Sequence, residues 1–120
     1  MSEDPRQCRV PEEVPGVEVV HPPRELDWEC GEDFAADLAA ASLRGAVVVV
    51  DLSRTEFADS SALESLLVAH RRQQERGGRL VLAGPLRPVL RRLFHTAGTM
   101  EHFVFADDLA GALERVRAAG

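Results

Sequence analysis

Residues Val47–Leu63 read VVVVDLSRTEFADSSAL, a run of four valines followed by a short polar segment and two consecutive serines. The apolar run extends over Ala46–Leu52. It is too short for a helix and does not alternate with polar residues, so it predicts a central strand that is covered on both faces. Ser53–Ala58 is then predicted to be a loop, and Asp59 is a good N-cap for the helix that follows.

The remaining apolar patterns place strands and helices alternately along the chain. Predicted strands cover Cys8–Val10, Val17–His21, Arg79–Ala83 and His102–Phe105; predicted helices cover Gly31–Leu43, Asp59 to about Arg76, a segment opening at Pro85–Pro88 and ending near Gly98, and a last segment capped by Asp107 or Asp108. This order calls for an open, mostly parallel sheet with right-handed crossovers. Function is expected at the carboxyl edge of its strands, where the two serines fall.

The composition is that of a globular domain. The chain has 120 residues, of which 45% are hydrophobic and 28% are charged. That is enough to bury a core without metal or disulfide help. We expect one domain over residues 1–120, with residues 1–7 as a flexible N-terminus. The formal net charge of -6 argues against direct binding of nucleic acid, which needs a basic surface.

The cysteines and the N-terminus bear on the compartment. Cys8 and Cys30 are far apart and outside any metal-ligand spacing, so both are expected to be free thiols. The N-terminus lacks the basic-then-apolar arrangement of a secretory signal, and no apolar run is long enough to span a bilayer. We therefore expect a cytoplasmic protein without membrane insertion.

A serine that follows a strand can act as a nucleophile or bind phosphate, but both roles need neighbouring residues that this chain lacks. Ser60 and Ser61 are not flanked by the glycines of a G-x-S-x-G elbow. The segment Ser53–Ser61 has neither glycine nor the lysine of a phosphate-binding loop. The four histidines are scattered along the chain, which disfavours a metal site. The sequence thus predicts no esterase, no nucleotide enzyme, no metal and no cofactor.

The helix N-terminus itself remains a candidate site. Ser60 and Ser61 fall near the first two helical positions, where side chains point outward and backbone amides lack intrahelical partners. A kinase could reach them, and a phosphate there would gain from the amides and the helix dipole while suffering from Asp59 beside it. The alternative is that Asp59, Ser60 and Ser61 merely cap the helix. On the residues alone, the capping role is the favoured interpretation.

Several segments, taken in order, resemble one known family. Asp51–Ser53 followed by Phe57–Leu63 resembles the signature of the STAS domain family, the anti-sigma factor antagonists. Arg24–Asp27 is similar to the family's G-E-L-D segment, Gly77–Leu82 to the glycine-rich start of a strand, and Val89–Phe94 to the next helix. The resemblance implies a single STAS-like α/β domain, with a four- to five-stranded, mostly parallel or mixed sheet and about four helices packed chiefly on one side.

The resemblance also implies a function without catalysis. The unmodified domain would bind an anti-sigma factor that is also a serine kinase of the GHKL type, phosphorylation would break the complex, and a PP2C-type phosphatase would reverse it. ATP and magnesium would belong to the kinase. By position the phosphoacceptor is Ser61, with Ser60 the less favoured candidate, and a homodimer stays open. The residues expected to contact the partner are Glu25, Asp27, Trp28, Asp59, Ser60, Ser61, Ala62 and Leu63.

Three positions depart from the family pattern. Ala62 stands where glycine is usual, Arg24 replaces the glycine of G-E-L-D, and Thr99 takes a commonly aliphatic position. Ala62 favours the helix by up to about 1 kcal/mol over glycine, but its methyl group limits close approach by a partner. Trp28 is predicted to be either a partner anchor or a packed core aromatic. The alternative function is a constitutive STAS interaction module, in a stress-signalling or lipid-transport complex, without phosphorylation.

Overall fold

Six strands and four helices follow one another in the computed structural model, which describes residues 16–119. The strands are β1 (Val17–Val20), β2 (Glu25–Leu26), β3 (Val47–Asp51), β4 (Phe57–Ala58), β5 (Arg79–Ala83) and β6 (Val104–Ala106). The helices are α1 (Gly31–Arg44), α2 (Ser60–Glu75), α3 (Pro88–Thr96) and α4 (Leu109–Ala119), and a 3-10 turn over Trp28–Cys30 precedes α1. The predicted strand Cys8–Val10, the Cys8 thiol and residues 1–7 lie outside the described residues.

Four of the strands form the main sheet, in the order β1-β3-β5-β6 and all parallel. Along the chain, each strand of this sheet joins the same growing edge. Because crossover connections between parallel strands are right-handed, the helices in these connections lie on one face of the sheet. Side chains of α1, α2 and α3 accordingly share a core cluster with Val48 and Val50. The last helix, α4, packs on the opposite face against Val49 and Val81. The predicted α/β sheet with helices chiefly on one side is confirmed.

The main strands lie close to their predicted positions. Val48, Val49 and Val50 are at most 1% exposed, so β3 is covered on both faces, as its unbroken valine run predicts. β1 ends one residue early, at Val20, and the next side chain, His21, instead pairs with the carboxylate of Asp51 at 3.3 Å. β6 starts two residues later than predicted, because His102 donates its backbone N–H to Thr99 in a turn after α3.

The prediction that Ser53–Ala58 is a loop was wrong for its last two residues, which lie directly before Asp59 and the candidate serines. Ser53–Ala58 is not entirely a loop, because Phe57–Ala58 forms β4 and pairs in parallel with β2 in a second, two-stranded sheet. Strands of two residues are too short to show the alternation by which a strand is recognised in sequence. Leu26 is 1% exposed and Ala58 is 8% exposed, so the short ladder is anchored in the core.

Gln73 ties the carboxyl half of α2 to its neighbours. Its side chain is buried, and its Oε1 accepts a hydrogen bond from the hydroxyl of Ser42 on α1. Its Nε2 donates to the carbonyl oxygen of Ala46, just before β3, at 2.7 Å. The chain then passes so close to that carbonyl that a Cβ atom on Gly78 would lie 1.8 Å from it. One buried amide therefore fixes the ends of two helices against the sheet.

Replacing Gln73 by leucine should lower the free energy of unfolding by about 1–3 kcal/mol, because the buried Ser42 hydroxyl loses its acceptor. Urea unfolding followed by circular dichroism measures the change. Gln74→Leu is the matched control, since Gln74 is the next residue and is exposed. Equal effects of the two substitutions would contradict the role assigned to Gln73.

Candidate functional site

The two-stranded ladder places two aspartates side by side. Leu26 and Ala58 are register partners, so Asp27 and Asp59 leave the ends of β2 and β4 together. The backbone N–H of Asp59 donates to the carbonyl of Leu26 at 3.1 Å. The two aspartates have nearly the same backbone angles, φ -108° and ψ -176° against φ -111° and ψ -174°. Each aspartate is the N-cap of the helical segment that follows it.

Asp27 caps the turn that leads into α1. Its Oδ1 accepts the backbone N–H groups of Glu29 at 3.1 Å and Cys30 at 3.3 Å. Partial burial, and then the hydrogen bond and charge of Asp27, raise the pKa of the Cys30 thiol. This thiol is therefore protonated at neutral pH and is a poor nucleophile. Cys30 is free, as the sequence predicted.

Asp59 caps α2 in the same way and also holds a serine side chain. Its Oδ1 accepts the backbone N–H groups of Ser61 at 3.0 Å and Ala62 at 3.3 Å. The Ser61 hydroxyl donates to the same oxygen at 2.6 Å. Ser60 is exposed, whereas the Ser61 side chain is only partly exposed because its hydroxyl is turned toward Asp59.

These hydrogen bonds stabilise the ionised form of Asp59. The hydrogen bond from the Ser61 hydroxyl is the main cause that lowers the pKa of the Asp59 carboxyl. Partial burial opposes it, and the backbone N–H groups of Ala62, Ser61 and Trp28 reinforce it. The site therefore presents a fixed negative charge at neutral pH, with a serine hydroxyl pointed at it.

The start of α1 also reaches the Ser61 hydroxyl. A Cβ atom on Gly31, the first residue of α1, would lie 4.0 Å from Ser61 Oγ. The starts of α1 and α2 thus lie close together beside this hydroxyl, although the Gly31 N–H itself donates to the carbonyl of Trp28. Helix N-termini favour negative charge because their amides and dipoles point toward it. Gly31 is not among the site residues predicted from the sequence, since only the β2–β4 ladder brings it near Ser61.

The residues predicted to contact a partner differ in solvent exposure: some lie on the surface and others are buried in the core. Trp28 is 74% exposed, which excludes the alternative of a packed core aromatic. Ala62 is 2% exposed and Leu63 is 6% exposed, so both predicted contacts belong to the core and offer a partner almost no surface. They point inward because an amphipathic helix buries one face against the sheet. The exposed acidic side chains next to Trp28 in the chain are Glu25, Glu29, Glu32 and Asp33.

Neither a metal-binding cluster nor a membrane-spanning helix is found among the described residues. Within residues 16–119, no group of three or more His, Cys, Asp or Glu side chains is arranged to hold a metal ion. None of the helices over the same residues is both long enough and apolar enough to cross a membrane.

Comparison with known proteins gives both a family and related folds. A family model described as "Mlab, STAS domain" matches residues 18–106, which include both caps and both serines. No curated protein matches the chain. Among solved structures, the chain is similar to an anti-sigma factor antagonist from Mycobacterium paratuberculosis, with 26% identity, a TM-score of 0.77 and coverage of 88% of this chain and 89% of that one.

Two structures of SpoIIAA show the same architecture. The unphosphorylated form of this anti-sigma factor antagonist is 24% identical, with a TM-score of 0.75 and coverage of 88% of this chain and 91% of that one. The phosphorylated form, described as a Bacillus cell fate determinant, is 24% identical, with a TM-score of 0.68 and coverage of 87% and 94%. These likenesses confirm the predicted fold over most of the chain.

The ionisation of Asp59 should make the stability of the site depend on pH. Because folding lowers its pKa, its charge stabilises the folded state above the ordinary carboxyl pKa of about 3.9, and that contribution is lost as the pH falls through the folded-state value. Asp59→Asn keeps a capping side chain but cannot ionise. We expect the variant to be about 0.5–1 kcal/mol less stable at neutral pH.

Urea unfolding of both proteins from about pH 7 down to about pH 3 measures this difference. The gap in the free energy of unfolding should shrink as the pH falls. A gap that stays constant over the whole range would show that the charge of Asp59 is not what stabilises the cap.

Proposed function

Because this chain belongs to the STAS domain family, as its sequence predicted, we propose that it is an anti-sigma factor antagonist switched by phosphorylation of Ser61. The unphosphorylated chain binds an anti-sigma factor that is also a GHKL-type serine kinase, and a PP2C-type phosphatase restores it after modification. The protein acts by binding, in the cytoplasm, and the kinase supplies the catalysis. The observation that carries the proposal is the Ser61 hydroxyl, held by Asp59 where two helices begin.

Phosphorylation would change this site without unfolding it. Transfer of the γ-phosphoryl group of ATP to Ser61 Oγ replaces the hydroxyl proton, so the bond to Asp59 is lost and a carboxylate faces a phosphate. The added charge of about -1.5 to -2 is repelled by Asp59 but attracted by the N-termini of α1 and α2. Because the repulsion from Asp59 and the attraction by the helix N-termini are both electrostatic and opposite in sign, we expect the fold to remain intact after phosphorylation. The altered property is the surface that a partner meets.

A phosphate at Ser61 would weaken an interface formed there. In the complex it would have to lose water beside the fixed charge of Asp59, with no cation nearby on this chain's own caps. Like charges brought together at an interface cost several kcal/mol, which corresponds to a loss of affinity of about a hundredfold or more. A single covalent change thus suffices to release the partner.

The exposed side chains beside the serines indicate the chemistry of the partner. Trp28 precedes α1 and has 74% of its surface free, and tryptophan is among the residues that most often dominate binding at interfaces. Exposed carboxylates adjoin it at Glu25 and Glu29. A complementary partner would offer an apolar pocket for the indole and basic side chains opposite Glu25 and Glu29, without a cation placed to receive a phosphate at Ser61. Ala62 does not obstruct such contact, because its methyl group is buried.

A second candidate is the constitutive STAS module, in which Ser61 is never modified. One observation favours it: the Ser61 hydroxyl completes the Asp59 cap, so the serine already has a structural role in the unmodified chain. In this case the same surface would bind its partner permanently. The two candidates differ in whether charge at Ser61 matters for binding.

Incubation of the chain with ATP, magnesium and a GHKL-type serine kinase that binds it should place one phosphate on Ser61, detected by tandem mass spectrometry. Ser61→Ala should abolish the modification, and Ser60→Ala should leave it in place. Phosphate found on Ser60 alone would move the site by one residue. Modification only outside Ser60 and Ser61 would refute the assignment.

Ser61→Asp should reduce affinity for the same partner by about a hundredfold, because a second carboxylate then faces Asp59 in the interface. Isothermal titration calorimetry measures the loss, and Ser61→Ala serves as the uncharged control with near-normal affinity. Unchanged binding of Ser61→Asp, with the fold verified by circular dichroism, would favour the constitutive module instead.

A further inference from the structure

Three arginines converge on one cleft at the carboxyl edge of the main sheet. Arg24 follows β1, Arg54 follows β3 and Arg87 follows β5, so each comes from a different connection. Together with Ser53 and Glu56 they line a cavity of about 440 Å³. The carboxyl edge of parallel strands is where open α/β sheets bind their ligands.

The backbone that carries this cleft is held in place by buried contacts. Thr55 is fully buried, and its hydroxyl donates to the carbonyl of Pro23 at 3.2 Å. The backbone N–H groups of Glu56 and Phe57 both donate to the carbonyl of Arg24, at 2.7 and 3.1 Å. The two loops that supply most of the lining are thereby fixed to each other, which preorganises the cleft before any ligand arrives.

The cleft is electropositive although the chain as a whole carries a net charge of -6. Glu56 Oε2 lies 3.4 Å from Arg24 Nε and 3.7 Å from Arg87 Nη2, so one carboxylate oxygen lies between two guanidinium groups. Arg54 is exposed and forms no ion pair with the described residues. Three guanidinium groups and one carboxylate leave a local charge of +2.

The geometry points to a binding site for a dianionic phosphate group, free or carried by a small polar molecule. A charge of +2 matches a phosphate dianion, and guanidinium groups bind phosphate oxygens through paired hydrogen bonds. The oxygen of Glu56 marks where a phosphate oxygen would lie. Since the side chain of Glu56 is 43% exposed, it can turn to solvent as the ligand enters.

The cleft favours a carried phosphate over a free one. Its volume of about 440 Å³ is in the range of small-molecule sites and exceeds the needs of a bare phosphate. Every lining residue is polar or charged, which suits a sugar phosphate better than an apolar ester. This site does not include Ser61 and does not depend on its phosphorylation.

Titration of the ¹⁵N-labelled chain with inorganic phosphate and with ribose 5-phosphate, at constant ionic strength set by chloride, tests the site by NMR. The amides of Ser53, Arg54 and Glu56 should shift in a saturable way. Saturable binding of either compound supports the site. Tighter binding of ribose 5-phosphate would indicate a carried phosphate, and tighter binding of inorganic phosphate would indicate a free one. Ribose alone should cause no shift.

Two substitutions should change the affinity in opposite directions. Arg54→Gln should weaken binding about tenfold, because it removes the one cleft guanidinium that forms no ion pair within residues 16–119. Glu56→Gln should strengthen binding severalfold, because it removes the competing carboxylate. Arg71→Gln, an exposed position on α2 outside the cleft, has the same charge change and should have no effect.

Equal weakening by Arg54→Gln and Arg71→Gln would show general attraction to the surface and overturn the proposal. So would the absence of saturable shifts with either phosphate compound, in which case Arg24 and Arg87 would serve only their ion pairs with Glu56. Shifts confined to the N-termini of α1 and α2 would overturn it as well, since they would place the anion at the caps.

Discussion

The candidate site depends on a parallel ladder that is only two residues long. Leu26 and Ala58 pair in register and are buried, so Asp27 and Asp59 emerge together with nearly identical backbone angles. Without this pairing the starts of α1 and α2 would be independent of each other. With it, two N-caps lie side by side, and Gly31 comes near the Ser61 hydroxyl. A small element of structure thus sets the geometry of everything that a partner or kinase would meet.

The cap chemistry explains how one serine can serve both stability and regulation. In the unmodified chain the Ser61 hydroxyl donates to Asp59, which keeps that carboxylate ionised and completes the cap. A phosphate would break this bond, yet the converging helix N-termini would compensate part of the cost. The proposed modification would therefore be tolerated by the fold and would act mainly at the surface. That combination is what a reversible binding switch requires.

The sequence predicted the long elements well and the short ones poorly, for physical reasons. The valine run of β3 and the apolar stripe of α2 repeat over many residues, whereas β2 and β4 have two residues each and show no period. The Asp59 cap was predictable because it is local, but its pairing with Asp27 was not, because it depends on contacts between residues that 31 others separate in the chain. The exposure of Trp28 was undecidable from sequence for the same reason.

The same ladder also relates the two charged regions. Arg24 and Glu56 precede its strands, and Asp27 and Asp59 follow them. At roughly 3.3 Å per residue, the basic cleft and the acidic caps lie about 10 Å apart, which is close to the Debye length at physiological salt. Over that distance salt screens most of the interaction between solvent-exposed charges, so a dianion in the cleft and a phosphate on Ser61 would affect each other only weakly. Any coupling that remains is reciprocal, so each anion would lower the affinity for the other by the same small factor.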